Sequence, residues 1–194
     1  MKHLGRKIYH LLGGVGLLSL YYLLGRDRAL LFYGVLFLSV LSIDLSRLLF
    51  PALNRFVFDR FGSFIRESEK NKLTGTPGYV LGIGLSLYLY PPEVATAAIC
   101  FLAFGDVSAT LIGEQYGRTK IGDKSLEGTV AFVAAAGLSG FLLSLLGVAL
   151  APWLLAIGVL TAAGVELLAL PVNDNLLIPL VSGGVMTLAQ RLAG

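Results

Sequence analysis

Long apolar runs broken by short polar turns set the pattern of this chain. They extend from about Ile8 to Leu24, Ala29 to Phe50, Gly78 to Tyr90, Glu93 to Tyr116, Thr129 to Ala149, Trp153 to Leu170 and Leu176 to Leu192. A helix needs roughly 20 apolar residues to cross a hydrocarbon core of about 30 Å, so these runs predict seven membrane spans. Pro51, Pro91, Pro92, Pro152 and Pro171 stand at their ends, where a helix must start or stop. The third run is short and opens on Leu73-Thr74-Gly75-Thr76-Pro77-Gly78, and interrupted spans of that kind tend to line a cavity. Residues 52–74 follow another rule. Leu53, Phe56, Val57, Phe61, Phe64 and Ile65 recur at helical spacing, with Asn54, Arg55, Asp59, Arg60, Arg66 and Glu67 between them. That pattern predicts an amphipathic helix, lying in the headgroup plane or packed along the bundle.

Composition supports the same picture: 56% of residues are hydrophobic and 14% are charged, with a mean hydropathy of +0.79. The predicted fold class is an all-α polytopic transmembrane helix bundle, one domain over residues 1–194. A net charge of +3, spread along the chain, argues against a nucleic-acid partner. The single Cys100, inside an apolar run, excludes an intramolecular disulfide framework. The opening MKHLGRKIYH is basic and leads into apolar residues, but no small-residue cleavage site follows it, so an uncleaved first span is expected. Lys2, Arg6, Lys7, the stretch from Arg47 to Lys72, and Arg118, Lys120 and Lys124 fall on one side of the seven spans. Arg26, Arg28 and Arg191 fall on the other. The positive-inside rule then predicts a cytoplasmic N-terminus and an outer C-terminus, with the amphipathic helix on the cytoplasmic side.

The same orientation gathers His10, Asp44, Asp106, Glu166 and Asp174 in the cytoplasmic half of the bundle. Ionisable groups in spans are costly unless paired, hydrated or bound to metal, so a cytoplasm-facing site is expected. Asp44 and Arg47, three apart on one helix face, could form a structural ion pair or belong to that site. The densest chemistry lies in FLAFGDVSATLIGEQYGRTKIGDKSLEGT, from Phe101 to Thr129. Read as a helix to Tyr116, it sets Gly105, Ala109, Gly113 and Gly117 four apart, a small-residue ridge that admits close helix contact within a chain or between copies. Asp106 sits beside the ridge. Gly117, Arg118, Lys120, Gly122, Lys124, Ser125, Glu127 and Gly128 then form a basic, glycine-rich loop, which suits a polyphosphate and its metal ion. An ordinary cytoplasmic loop would share that composition. Asn173, Asp174 and Asn175 precede the last span, as either a helix cap or part of a site. A transporter using Asp106 and Glu166 as ion sites is a rival reading, although no internal repeat relates the two halves.

The run GDVSATLIGEQYGRTKIGDKSLEGT resembles the signature of membrane kinases that phosphorylate lipid alcohols with CTP: dolichol kinase, phytol kinase and yeast-type diacylglycerol kinase. VELLALPVNDNLLIPL resembles that family's second block, and the two together cover about a quarter of the chain. Arg6, Lys7 and His10 and the TGTPG turn are looser matches in the right order. Phosphatidate cytidylyltransferases are similar in the first block, but this chain lacks their later run ending in Asp-Arg. The resemblance implies transfer of phosphate from CTP, with Mg²⁺, to a membrane lipid alcohol such as a polyprenol, a phytol-like alcohol or diacylglycerol. Carried onto this chain, it assigns Asp106, Asp174 and Lys124 to catalysis, and Asp106, Asp174 and Glu127 to Mg²⁺. Gly117, Arg118, Lys120, Gly122, Lys124, Ser125, Glu127, Gly128, Asn173 and Asn175 would then hold the nucleotide.

Overall fold

The computed structural model describes residues 4–168 and 170–193; Lys2, used above to orient the chain, lies outside them. The described chain is a bundle of α-helices with one small hairpin. α1 (Leu4–Leu24), α2 (Arg26–Leu49) and α3 (Pro51–Phe61) come first, followed by α4 (Gly75–Leu89), α5 (Pro92–Cys100) and α6 (Val107–Tyr116). The hairpin β1 (Lys120–Ile121) and β2 (Lys124–Ser125) leads to α7 (Leu126–Leu145), α8 (Pro152–Leu168) and α9 (Asp174–Ala193). α5 and α6 are joined without a break by a π-helical stretch, Phe101–Asp106. Among the described residues, five stretches are long and apolar enough to cross a membrane: Gly5–Leu24, Arg26–Leu49, Pro92–Tyr116, Leu126–Leu145 and Asp174–Ala193. α4, with 15 residues, and α8, with 17, fall below that length.

Local chemistry sets the boundaries. Gly25, at a φ of 80°, makes the tight joint between α1 and α2 in the left-handed region that glycine tolerates. Pro51 and Pro92 occupy first-turn positions of α3 and α5, where the missing N–H costs nothing. Ser125 caps α7 by accepting from the Gly128 N–H at 3.1 Å. The amphipathic segment departs from expectation, because its helix stops at Phe61 instead of running on toward residue 74. Gly62 follows, and residues 66–73 are drawn into a loop whose carbonyls are held by Arg47. A side-chain donor that captures carbonyls at positions 69, 70 and 72 competes directly with helical hydrogen bonding. α3 has no buried residue, and its Phe56 and Phe61 are exposed.

The Pro92–Tyr116 stretch is the centre of the bundle, with 61% of its apolar window buried against 17% for that of Arg26–Leu49. Its small-residue ridge is used within the chain. A Cβ on Gly105 would lie 2.7 Å from the ring of Phe132, and one on Gly128 would lie 2.9 Å from the carbonyl oxygen of Ala109. α6 and α7 therefore approach backbone to backbone, which brings the hairpin between them back over the end of α6.

Candidate active site

One end of the bundle holds a cavity of about 1030 Å³. The starts of α1, α4 and α9, the end of α6, the hairpin and the segment 64–79 all contribute to its wall. The turns at the opposite end carry few charges, and there Arg26 donates to the Tyr88 carbonyl at 3.0 Å.

The hairpin delivers the most informative side chain. Gly122 sits at a φ of 57° in the two-residue turn, so Lys120 pairs with Ser125 and Ile121 with Lys124. The basic glycine-rich loop is thus a folded ribbon. Lys124 reaches inward, and its Nζ donates to Glu166 Oε1 at 2.7 Å and to Asp174 Oδ2 at 3.1 Å. Burial alone would lower the Lys124 pKa, but the Glu166 hydrogen bond and the fields of Asp174, Glu166 and Asp106 outweigh it and hold the ammonium above its usual value. Three elements far apart in sequence are joined by this one cation. Glu166 is buried at the end of α8, and its other oxygen, Oε2, has no hydrogen-bond partner in the described structure.

Asp106 stands where the π-helical stretch passes into α6, and its Oδ2 lies 3.8 Å from Nε2 of His10. Single-turn π insertions recur at functional sites because they rotate the following side chains out of the α-helical register. His10 is buried against Tyr79, with ring centroids 4.3 Å apart, and Tyr79 donates its hydroxyl to the His10 carbonyl. Nε2 of His10 is buried without a hydrogen-bond partner among the described residues. Both residues line the cavity.

The rim is basic. Arg6, Lys7, Arg66, Lys72 and Lys120 join Lys124 in the lining, and Lys7 is paired with Glu114 at 2.7 Å. A buried arginine fixes the part of this rim between α3 and α4. Arg47 is 1% exposed and donates from Nε to Asp44 at 2.6 Å. Its other nitrogens donate to Asn54 and to the carbonyls of Glu69, Lys70 and Lys72, the last at 2.6 Å. The second oxygen of Asp44 accepts from the N–H and hydroxyl of Thr74, at 2.6 and 2.8 Å. The pair is therefore structural, and through Thr74, which caps α4, it anchors the TGTPG turn beside the cavity.

Of the sequence-selected residues, Asp106, Lys120, Lys124, Ser125, Gly128, Asn173, Asp174 and Asn175 line the cavity. Gly117, Arg118, Gly122 and Glu127 do not. The carboxylate of Glu127 accepts from the Thr119 N–H at 3.1 and 3.2 Å, which closes the hairpin base. Asn173 and Asn175 combine capping with tethering. Asn173 Oδ1 accepts from the Asn175 N–H at 2.9 Å, and Asn175 Nδ2 donates to the Gly75 carbonyl at 3.2 Å, tying the start of α9 to that of α4. Sequence reasoning did not place Arg66, Lys72 or Glu69 in the site. It gathered Glu166 with the other carboxylates at this end of the bundle but gave it no part in holding nucleotide or metal.

In the described residues no three histidine, cysteine or acidic groups converge to form a protein-only metal cage. Mg²⁺ seldom uses such a cage. It takes one or two carboxylates and completes its shell with water and substrate phosphates. Asp106, Asp174 and the unpartnered oxygen of Glu166 offer that kind of donor set.

Comparison with known proteins adds an independent line. The CTP-dependent diacylglycerol kinase 1 of Schizosaccharomyces pombe is 34% identical over 101 residues, covering 50% of this chain and 46% of that protein. The protein of the same name from Saccharomyces cerevisiae is 28% identical over 132 residues, 65% of this chain and 45% of that protein. An uncharacterized protein of Rickettsia prowazekii is 28% identical over 181 residues, 90% of this chain and 88% of that protein. The chain thus spans under half the length of the two yeast kinases. No family model and no solved structure matches it. Over 50% to 65% of its length, this chain is thus similar in sequence to CTP-dependent diacylglycerol kinases.

Proposed function

We propose that this chain transfers the γ-phosphate of CTP to the hydroxyl of a membrane lipid alcohol: diacylglycerol, a polyprenol or a phytol-like alcohol. The observation that carries the reading is the junction of Lys124, Glu166 and Asp174 beside Asp106, in a polar cavity with a basic rim. The bundle crosses the membrane seven times, with α4 and α8 as short spans. The cavity end faces the cytoplasm, as the excess of Arg and Lys at that end favours.

Phosphoryl transfer asks a protein mainly for positioning and for neutralisation of charge. Lys120, Arg6, Arg66 and Lys72 stand round the opening and would hold the triphosphate, with Lys124 deepest. Asp106 and Asp174 would hold Mg²⁺, which when bound draws off charge from the phosphate oxygens. One of these aspartates accepts the proton of the lipid hydroxyl as it attacks. Phe64, Leu73, Leu170 and Val172 give the opening an apolar side facing the bilayer headgroups, where a lipid hydroxyl would arrive.

The test is incubation of purified protein in detergent with γ-labelled CTP, Mg²⁺ and a panel of lipid alcohols. Label is expected on the lipid. A cytidylyltransferase would instead release it as pyrophosphate and leave CMP on phosphatidate. Asp106→Asn and Asp174→Asn preserve shape but remove charge, and each is expected to abolish turnover in a folded protein. Rates near wild type in both variants would refute the assignment.

A further inference from the structure

We infer that Glu166, which the resemblance leaves unassigned, is a ligand of the divalent cation, and that Lys124 is the displaceable counter-ion of that cation site. This rests on the reading of the cavity as a nucleotide–metal site. Three observations carry it. Glu166 has a side chain 5% exposed, yet Oε2 finds no partner among the described residues. A buried carboxylate oxygen without a donor is costly, and its natural partner is a cation within the cavity. Lys124 Nζ already spans Glu166 and Asp174, at 2.7 and 3.1 Å, so these two carboxylates lie within reach of one positive centre.

Charge gives the third observation. Asp106, Glu166 and Asp174 line the cavity together, and Lys124 is the only Lys or Arg within 4.0 Å of any of them among the described residues. One ammonium does not balance three carboxylates. A divalent cation accepted by Glu166 and Asp174 does so more fully, and it frees Lys124 to turn toward a phosphate oxygen, the acceptor its three N–H groups would next meet. Glu127, by contrast, is occupied with the Thr119 N–H outside the cavity lining.

The exchange makes two variants move in opposite directions. Mn²⁺, read by the electron paramagnetic resonance of the free ion, is titrated into the full chain in a nonionic detergent without nucleotide. One site is expected in the wild type. Glu166→Gln should weaken it about tenfold or more, as loss of groups at metal centres typically does. Lys124→Met should tighten it, because the competing ammonium is gone, and no folding defect yields tighter binding. Unchanged affinity in Glu166→Gln, or weaker binding in Lys124→Met, would overturn the inference. Phosphate transfer by the wild type is assayed separately. A protein that binds Mn²⁺ in this pattern but phosphorylates no lipid leaves the cation site standing and removes the kinase reading.

Discussion

Arg47→Met tests whether a buried ion pair holds the site's rim in place. The guanidinium is 1% exposed and Asp44 is 5% exposed, so the variant leaves a carboxylate inside the protein with its cation gone. Breaking a buried pair on one side costs roughly 3–5 kcal/mol. Asp44 keeps its two bonds from Thr74, which moderates the loss. The carbonyls of Glu69, Lys70 and Lys72 lose a charged donor, but Glu69 and Lys72 line an open cavity where water can replace it. The net expectation is about 4 kcal/mol. Adding Asp44→Asn should cost less than the separate changes combined, with a coupling of roughly 0.5–3 kcal/mol, since the second change removes the stranded charge. Unfolding by SDS titration in mixed micelles reads the global effect. Limited trypsin digestion at Lys70 and Lys72 reads the local one, and both sites should cleave faster in Arg47→Met. If Arg47→Met unfolds within about 1 kcal/mol of wild type, the change is no larger than an average substitution. With an unchanged tryptic pattern as well, the staple would not be holding the loop.

Other outcomes follow from the same geometry. Gly105→Ala would push a methyl to 2.7 Å from Phe132 and should destabilise by roughly 1–3 kcal/mol in the same unfolding assay. Gly137→Ala, whose new methyl would meet nothing within 4 Å among the described residues, should be neutral or stabilise by up to about 1 kcal/mol. On the proposed function, Lys124→Ala should raise the KM for CTP as well as lower kcat, because it would remove a contact to phosphate in both ground and transition states; an unchanged KM would take Lys124 out of nucleotide binding. Cysteines at Thr119 and Ser68, in a background lacking Cys100, should react with impermeant maleimide only once the inner face is opened, and labelling from outside would reverse the orientation. CTP should be used in preference to ATP, and use of ATP alone would contradict the proposed function.

The helices and their approximate ends were legible in the sequence, because a bilayer leaves a spanning backbone few alternatives to helix and because Pro and Gly punctuate where helices stop. The shortness of the third apolar run was legible for the same reason, and it emerged as the short helix α4, starting at Gly75. So was the gathering of Asp106, Glu166 and Asp174 at one end of the bundle, since charge in oil is rare enough to be informative. The amphipathic segment misled because apolar spacing reports which face would be buried and says nothing of a distant donor. Arg47, 22 to 25 residues away, decides that Glu69, Lys70 and Lys72 give their carbonyls to a guanidinium, which keeps this stretch from continuing as an α-helix. Glu127 and Glu166 show the same division. Both are carboxylates near helix ends, and composition ranked the one in the basic loop higher. Only the packing of α6 on α7, which sets the hairpin over the start of α9 and the end of α8, turns Lys124 toward Glu166 and leaves Glu127 on the hairpin's outer base. Sequence determines which groups must find a partner, and the tertiary fold, by fixing distances between residues remote in the chain, decides which partner each one meets.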